Sequence, residues 1–323
     1  MPFRPYTRWV QSPAGDIKMR IGFVGLGLMG MPMARHLVAG GHQLFIASSS
    51  TAQLAELAAK GATACASPRE IAAEVEVFFS CRVTPQHSLD TFLGADGVIA
   101  AGNPEVLCID LATIDPETTT RIGRTLAGQG MAFLDAPISG GPNGATARTL
   151  SIIVGGDAAD VARAQPLFDL LGKKTFHMGP VGSGVMAKLC NNMITITTHA
   201  LLAEAMVMGV KAGIDGERLY EVLSSSSAYS RTLERVVPNH FLTRNFVAAS
   251  NVNSVMKDLQ CAIDTGTRLG LPLRLPHVAM ECYVAAREGG HAESDIAAVI
   301  LPMEVQAGVQ VGKAATPATV AGA

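Results

Sequence analysis

Three groups of residues in this chain are spaced for chemistry. The first is Gly25-Leu26-Gly27-Leu28-Met29-Gly30, which directly follows the apolar run Ile21–Val24 and precedes a helical pattern. A strand that ends in GxGxxG and turns into a helix suits a dinucleotide. Gly25 makes the tight turn, Gly27 lets backbone N–H groups approach a pyrophosphate, and Gly30 allows close helix–strand packing. An acid about twenty residues further on would hold a ribose 2′-hydroxyl. Here that place reads Ala47-Ser48-Ser49-Ser50-Thr51, with neither acid nor arginine. Hydroxyls and loop N–H groups can donate to a 2′-phosphate that a carboxylate would repel, so the serines point to NADP ahead of NAD. The plainer reading is that they terminate the strand.

The second group is the strand-like Phe133–Ala136 running through Pro137 and Ile138 into Ser139-Gly140-Gly141. Such a turn exposes one hydroxyl and consecutive N–H groups, a nest of donors for a carboxylate, although a turn with no ligand has the same composition. The third group lies in a long helical stretch opened by Gly182-Ser183-Gly184. Lys188 and Asn192 are four residues apart and share a face, with Asn191 on its flank. An ammonium among apolar neighbours is costly unless it is paired or loses its proton easily, and the second property is what a lysine acid/base requires. The alternative is a lysine snorkelling to the surface. His199 continues the stripe about 16 Å from Lys188 and reads as structural.

These groups need elements to hold them. Between residue 19 and about 180, apolar β-rich runs (Arg20–Val24, Gln43–Ala47, Val75–Ser80, Val106–Leu111, Ala132–Ala136, Leu150–Val154) alternate with helical patterns such as Pro32–Ala39, Ala52–Lys60 and Pro116–Gly128. Alternation of this kind predicts an α/β, mostly parallel sheet covered on both faces. After Gly184 the strand-like runs stop and helical spacing takes over through Gly216–Leu223, Val252–Leu269 and Pro276–Glu288. The expected organisation is an N-terminal extension (1–18), a doubly wound Rossmann-type domain (19–182), an all-α domain (183–310) joined by a long inter-domain helix, and a flexible tail (311–323).

Composition narrows the function. The 323 residues carry 25 basic and 27 acidic side chains without long runs, which argues against a nucleic-acid partner. Six scattered cysteines have no CxxC pair and no histidine at ligand spacing, so they read as thiols in a reducing compartment, with no metal site. Residues 1–18 hold no apolar core of signal-peptide length, and the expectation is a cytoplasmic protein. The apolar segment Val185–Val210 contains Lys188, Asn191, Asn192, His199 and Glu204, too many polar groups for a lipid-facing span.

The sequence resembles the β-hydroxyacid dehydrogenases, the group of 3-hydroxyisobutyrate dehydrogenase, tartronate semialdehyde reductase and the glyoxylate/succinic semialdehyde reductases. The resemblance rests on GLGLMGMPMA (Gly25–Ala34), DAPISGGPNGA (Asp135–Ala145), GSGVMAKLCNN (Gly182–Asn192) and MKDL (Met256–Leu259), in that order. It implies Lys188 as general acid/base, Asn192 as a positioning group, and Ser139, Gly140, Gly141 and Asn191 on a small carboxylate-bearing substrate. Lys257 is implied to reach both substrate and nicotinamide, and Thr113 to lie on the cofactor. The implied assembly is a homodimer or homotetramer.

The chain also departs from the family pattern. Cys81-Arg82-Val83 stands where Met-Leu-Pro is usual, which puts an arginine among the cofactor contacts. Ala112 replaces a common serine, and Asn143, Thr146 and Arg148 replace an acid-rich stretch. The reaction implied is hydride transfer between NAD(P) and a small 3-hydroxy acid or its semialdehyde. The alternatives are imine reduction, which Lys188 argues against, and a cofactor-binding interaction module without catalysis, which Lys188, Asn192 and Lys257 together argue against.

Overall fold

The computed structural model describes residues 10–11 and 17–313, so most of the expected extension and the tail beyond Lys313 lie outside it. The chain forms two compact units, Met1–Lys188 and Leu189–Ala323, dividing inside the long helix rather than at its start.

In the first unit a two-stranded hairpin, β1 (Val10–Gln11) with β2 (Ile17–Lys18), precedes the main sheet. That sheet contains β3 (Arg20–Val24), β4 (Gln43–Ala47), β5 (Thr63–Ala64), β6 (Val77–Ser80), β7 (Leu107–Asp110), β8 (Ala132–Asp135), β9 (Ile138–Ser139), β10 (Leu150–Gly155) and β11 (Gly172–Gly179). Its order is β11-β10-β8-β7-β6-β3-β4-β5, with β9 paired to β10. The six strands from β5 to β8 are parallel neighbours, whereas β10 meets β8 and β9 antiparallel and β11 parallel. The chain winds outward from β3 in one direction and then in the other. The order reverses between β3 and β6, and ligands of such sheets sit beyond the strand ends at that reversal.

Successive strand residues enter opposite cores. Ile21, Phe23, Val77, Phe79, Leu107, Ile109 and Leu134 belong to one buried cluster, and Val24, Phe78, Cys108 and Phe133 to the other. Both faces are therefore covered, by α1 (Gly30–Ala39), α2 (Thr51–Ala58), α3 (Pro68–Glu74), α4 (Pro85–Leu93), α5 (Pro116–Ala127), α6 (Gly141–Ala147) and α7 (Ala158–Leu171). Helices α3 and α4 go unmarked in the apolar pattern, yet each starts on the signal that opens α5. Ser67, Thr84 and Asp115 each precede a proline and accept the N–H of the third residue on, Glu70, His87 and Thr118 respectively.

Helix α8 (Ser183–Lys211) begins in the first unit and continues into the second, where α9 (Gly216–Ser225), α10 (Arg231–Val236), α11 (Val252–Arg268), α12 (Arg274–Ala286) and α13 (Ile300–Ala307) follow. Although α8 is long and apolar enough to cross a membrane by length and composition, its Lys188, Ile196, His199, Ala203 and Met206 are buried. Ile196, Ala203 and Met206 join Leu233, Phe241, Leu259, Ile263 and Tyr283 in the helical core. The Tyr283 hydroxyl donates to the Ile196 carbonyl at 2.9 Å, the partner a buried phenol needs. This packing runs past the expected boundary at residue 310. Buried Val311 donates its N–H at 2.8 Å to Glu304 Oε1, which also takes Arg244 Nη1 at 2.7 Å.

Candidate active site

The glycine turn after β3 divides its work among three positions. Gly25 has φ 89°, and a Cβ there would strike the Cys81 carbonyl. A Cβ on Gly30 would strike the Gly25 carbonyl, so this glycine lets the start of α1 lie against the turn. At Gly27 nothing stands within 4 Å of the Cβ position, leaving the backbone open to a ligand. Leu26 is buried, and Leu28 is exposed. Met29 occupies the N-cap position of α1 with no capping side chain; the Met31 N–H is met by the Gly27 carbonyl at 3.0 Å, and Pro32 has no N–H to satisfy.

Helices α2, α3, α4, α5 and α7 are each capped by a side-chain oxygen, from Ser50, Ser67, Thr84, Asp115 and Asp157. Only α1 and α6 lack one among α1 to α7, and both start in glycine turns singled out for binding. The second of these turns follows Ser139 at the end of β9. Gly140 and Gly141 have φ 140° and 65°, conformations that favour glycine, and both are exposed. An open glycine backbone and an uncapped helix start fit a dinucleotide's diphosphate at α1.

The serines after β4 are less available than their number suggests. Ser48 Oγ donates to Gln53 Oε1 at 2.8 Å and accepts the Ser50 N–H at 3.1 Å, while Ser50 Oγ accepts the Gln53 N–H at 3.4 Å. These two hydroxyls close the start of α2. Ser49 is the exposed one. Half-buried Thr113 follows β7, and half-buried Arg82 follows β6.

Two buried carboxylates, which the motif reading passed over, occupy the ends of adjacent strands, with Asp110 in register with Asp135. Asp135 Oδ1 accepts the Gly182 N–H at 2.7 Å and Oδ2 the Val185 N–H at 2.8 Å, anchoring the first turn of α8. A Cβ on Gly184 would press on the Asp135 and Ile153 carbonyls, and one on Gly155 would press on Asp135 itself. Burial pushes the Asp135 carboxyl up to about 6, against the pull of the N–H groups of Gly182, Val185 and Gly184. Burial likewise raises Asp110 to about 6, opposed by Ser88, the Ala112 N–H and Ser80.

Lys188 lies three residues beyond Val185 on α8 and is 8% exposed. Asn192 is one helical turn further along. In the second unit its Nδ2 donates to Asp258 Oδ2 at 2.7 Å, and Asp258 Oδ1 pairs with Lys257 Nζ at 2.8 Å. Exposed Asn191 donates to Asn192 Oδ1 at 3.1 Å. Asn192 and Lys257, picked out separately in the sequence, thus share one carboxylate. His199 Nδ1 is 2.8 Å from the Thr195 carbonyl, and burial lowers its pKa to about 4, which suits the structural role expected of it.

Residues 20–182 match the family described as the NAD binding domain of 6-phosphogluconate dehydrogenase, and residues 182–303 match NAD-binding of NADP-dependent 3-hydroxyisobutyrate dehydrogenase. Over 251 residues the chain is 38% identical to 3-hydroxyisobutyrate dehydrogenase of Pseudomonas aeruginosa, covering 75% of this chain and 84% of that one. The chain belongs to the β-hydroxyacid dehydrogenase family.

This dehydrogenase is also 32% identical over 293 residues to 2-(hydroxymethyl)glutarate dehydrogenase of Eubacterium barkeri, covering 91% of this chain and 97% of the relative. It superposes on a 3-hydroxyisobutyrate dehydrogenase of Mycobacterium tuberculosis, solved with L-serine, with a TM-score of 0.80, 30% identity, and coverage of 89% and 99%. Imine reductases share the fold at greater distance, as in the Myxococcus stipitatus enzyme at 19% identity and a TM-score of 0.59. The enzyme is accordingly a nicotinamide-dependent oxidoreductase of CH–OH groups.

The raised carboxyls predict how stability follows pH. A carboxyl whose folded pKa, about 6, exceeds its unfolded value binds more protons folded than unfolded between roughly pH 4 and 6. Its contribution to stability therefore falls as pH rises through that window and is level above it. Asp110→Asn removes one such group. Urea unfolding at pH 4.5, 6 and 7 is expected to give a shallower fall in stability for the variant than for wild type, and an equal fall would contradict the assignment.

Proposed function

We propose that this enzyme transfers a hydride between a nicotinamide cofactor and a small 3-hydroxy acid or its semialdehyde, with Lys188 as general acid/base. The observation that carries the reading is a buried lysine on α8, just beyond the turn anchored by Asp135 and one turn before Asn192. The names of the relatives, 2-(hydroxymethyl)glutarate dehydrogenase and 3-hydroxyisobutyrate dehydrogenase, support the substrate class. When bound, the nicotinamide supplies the acceptor or donor of the hydride.

Neutral Lys188 takes the hydroxyl proton as the alcohol is oxidised, and in the reverse direction its ammonium polarises and then protonates the carbonyl oxygen. Asn192, held by Asp258, positions the reacting oxygen. The Ser139 hydroxyl and the N–H groups of Gly140 and Gly141 receive the substrate carboxylate. Asn191 and Lys257 are assigned to the substrate as well, and Lys257 also to the cofactor.

For the cofactor we favour NADP over NAD, because no acid stands after β4 and the exposed Ser49 leaves a donor there. A homodimer or homotetramer in the cytoplasm completes the proposal, with no nucleic-acid or membrane partner. The six free thiols and the near-balanced charge support it.

Lys188→Ala is expected to lower kcat by about two to four powers of ten while cofactor affinity stays within a few-fold. Fluorescence titration and steady-state turnover read the two effects, and retention of more than a tenth of kcat would remove Lys188 from the role. The panel for turnover is short 3-hydroxy acids, semialdehydes and cyclic imines with both cofactors; turnover of imines alone would overturn the substrate class. Ser49→Asp is expected to shift the kcat/KM ratio towards NAD by placing an anion where the 2′-phosphate would lie. A wild-type enzyme that already prefers NAD more than tenfold contradicts the reading of the serine.

A further inference from the structure

Strand β6 ends at Ser80, and Cys81-Arg82-Val83 leads to the Thr84 cap of α4. The Cys81 N–H donates to the Val24 carbonyl at 2.9 Å, and the Cys81 carbonyl closes over Gly25. Arg82 therefore leaves the sheet at the reversal between β3 and β6, next to the turn that holds the open backbone of Gly27 and the uncapped start of α1.

Its Nε is buried without a hydrogen-bond partner, and Arg82 takes part in none of the ion pairs between described residues. A guanidinium stays charged at any working pH, and a buried donor without an acceptor is unfavourable, so the position calls for an anion. The planar fork matches phosphate or carboxylate oxygens two at a time. The neighbouring features choose between these. Backbone N–H groups and the positive end of α1 already favour a phosphorylated ligand beside Arg82.

We infer that Arg82 is the cationic contact for a phosphate group of the bound dinucleotide. It does this from a position where the family pattern has an apolar residue. The inference rests on dinucleotide binding by the first unit. Two phosphate sources share the chemistry: the diphosphate, common to both cofactors, and the 2′-phosphate, present in NADP alone.

The test is fluorescence titration of the full-length wild type, Arg82→Leu and Arg82→Lys with NADPH and with NADH, alongside thermal unfolding of each. Wild type that binds neither cofactor overturns the dinucleotide reading itself, separately from the role of Arg82. With wild type binding, Arg82→Leu is expected to weaken affinity about ten- to a hundredfold at unchanged Tm, with Arg82→Lys recovering part of the loss. An equal loss for both cofactors assigns the diphosphate, and a loss for NADPH alone assigns the 2′-phosphate. If the leucine variant has a lowered Tm, Arg82→Gln, which keeps length and a donor, is read in its place. Losses below threefold for both cofactors overturn the inference, and a raised KM confined to dianionic substrates would then place Arg82 on a substrate carboxylate.

Discussion

The carboxylate of Asp135 accepts two backbone N–H groups, from Gly182 at 2.7 Å and Val185 at 2.8 Å, at a point shielded from water. An ionised acceptor makes these bonds stronger than neutral ones, and a negative charge at the positive end of a helix adds to the effect. The opposing cost is burial, which draws the carboxyl up to about 6 yet leaves it ionised at neutral pH. The junction admits no side chains at Gly155 or Gly184, because a Cβ at either would collide with Asp135. From this anchor α8 reaches Lys188 in three residues, about 4.5 Å of rise. Sheet, helix start and lysine are thus tied by one side chain.

The same accounting of backbone groups separates the two glycine turns from the other helix starts of the first unit. Five helices of the first unit meet a leading N–H group with a Ser, Thr or Asp oxygen, whereas α1 and α6 start in glycine turns without a capping side chain. Side-chain capping is worth roughly 1 kcal/mol per helix, a contribution that α1 and α6 forgo. In the second unit the corresponding economy is the shared carboxylate of Asp258, which holds the Asn192 amide and the Lys257 ammonium together.

Much of this was legible in the chain because it is local. The glycine turn, the alternating strands that enter two cores, and Lys188 with Asn192 on one helix face all follow from spacing over a few residues. What escaped depends on distant partners. Asp135 meets residues 47 and 50 positions away, and Asp258 meets one 66 away, so each appeared only as a neighbour of assigned motif residues. The serines show a second kind of limit. Their lack of an acid was visible, but the commitment of Ser48 and Ser50 to the start of α2 was not. Strand β11 is mostly exposed, with lysines at 173 and 174, so it carries no apolar run to mark it.

The central claim is that Asp135 sets the position from which Lys188 acts. Replacing it by asparagine keeps the shape but leaves one oxygen for two N–H groups. The direct measurement is the single-turnover rate of hydride transfer for Asp135→Asn with a short 3-hydroxy acid at saturating cofactor. The account predicts a rate at least about tenfold below wild type, since small displacements of a catalytic group carry large penalties, with dinucleotide affinity unchanged. A rate within twofold of wild type, in a folded variant, would contradict it.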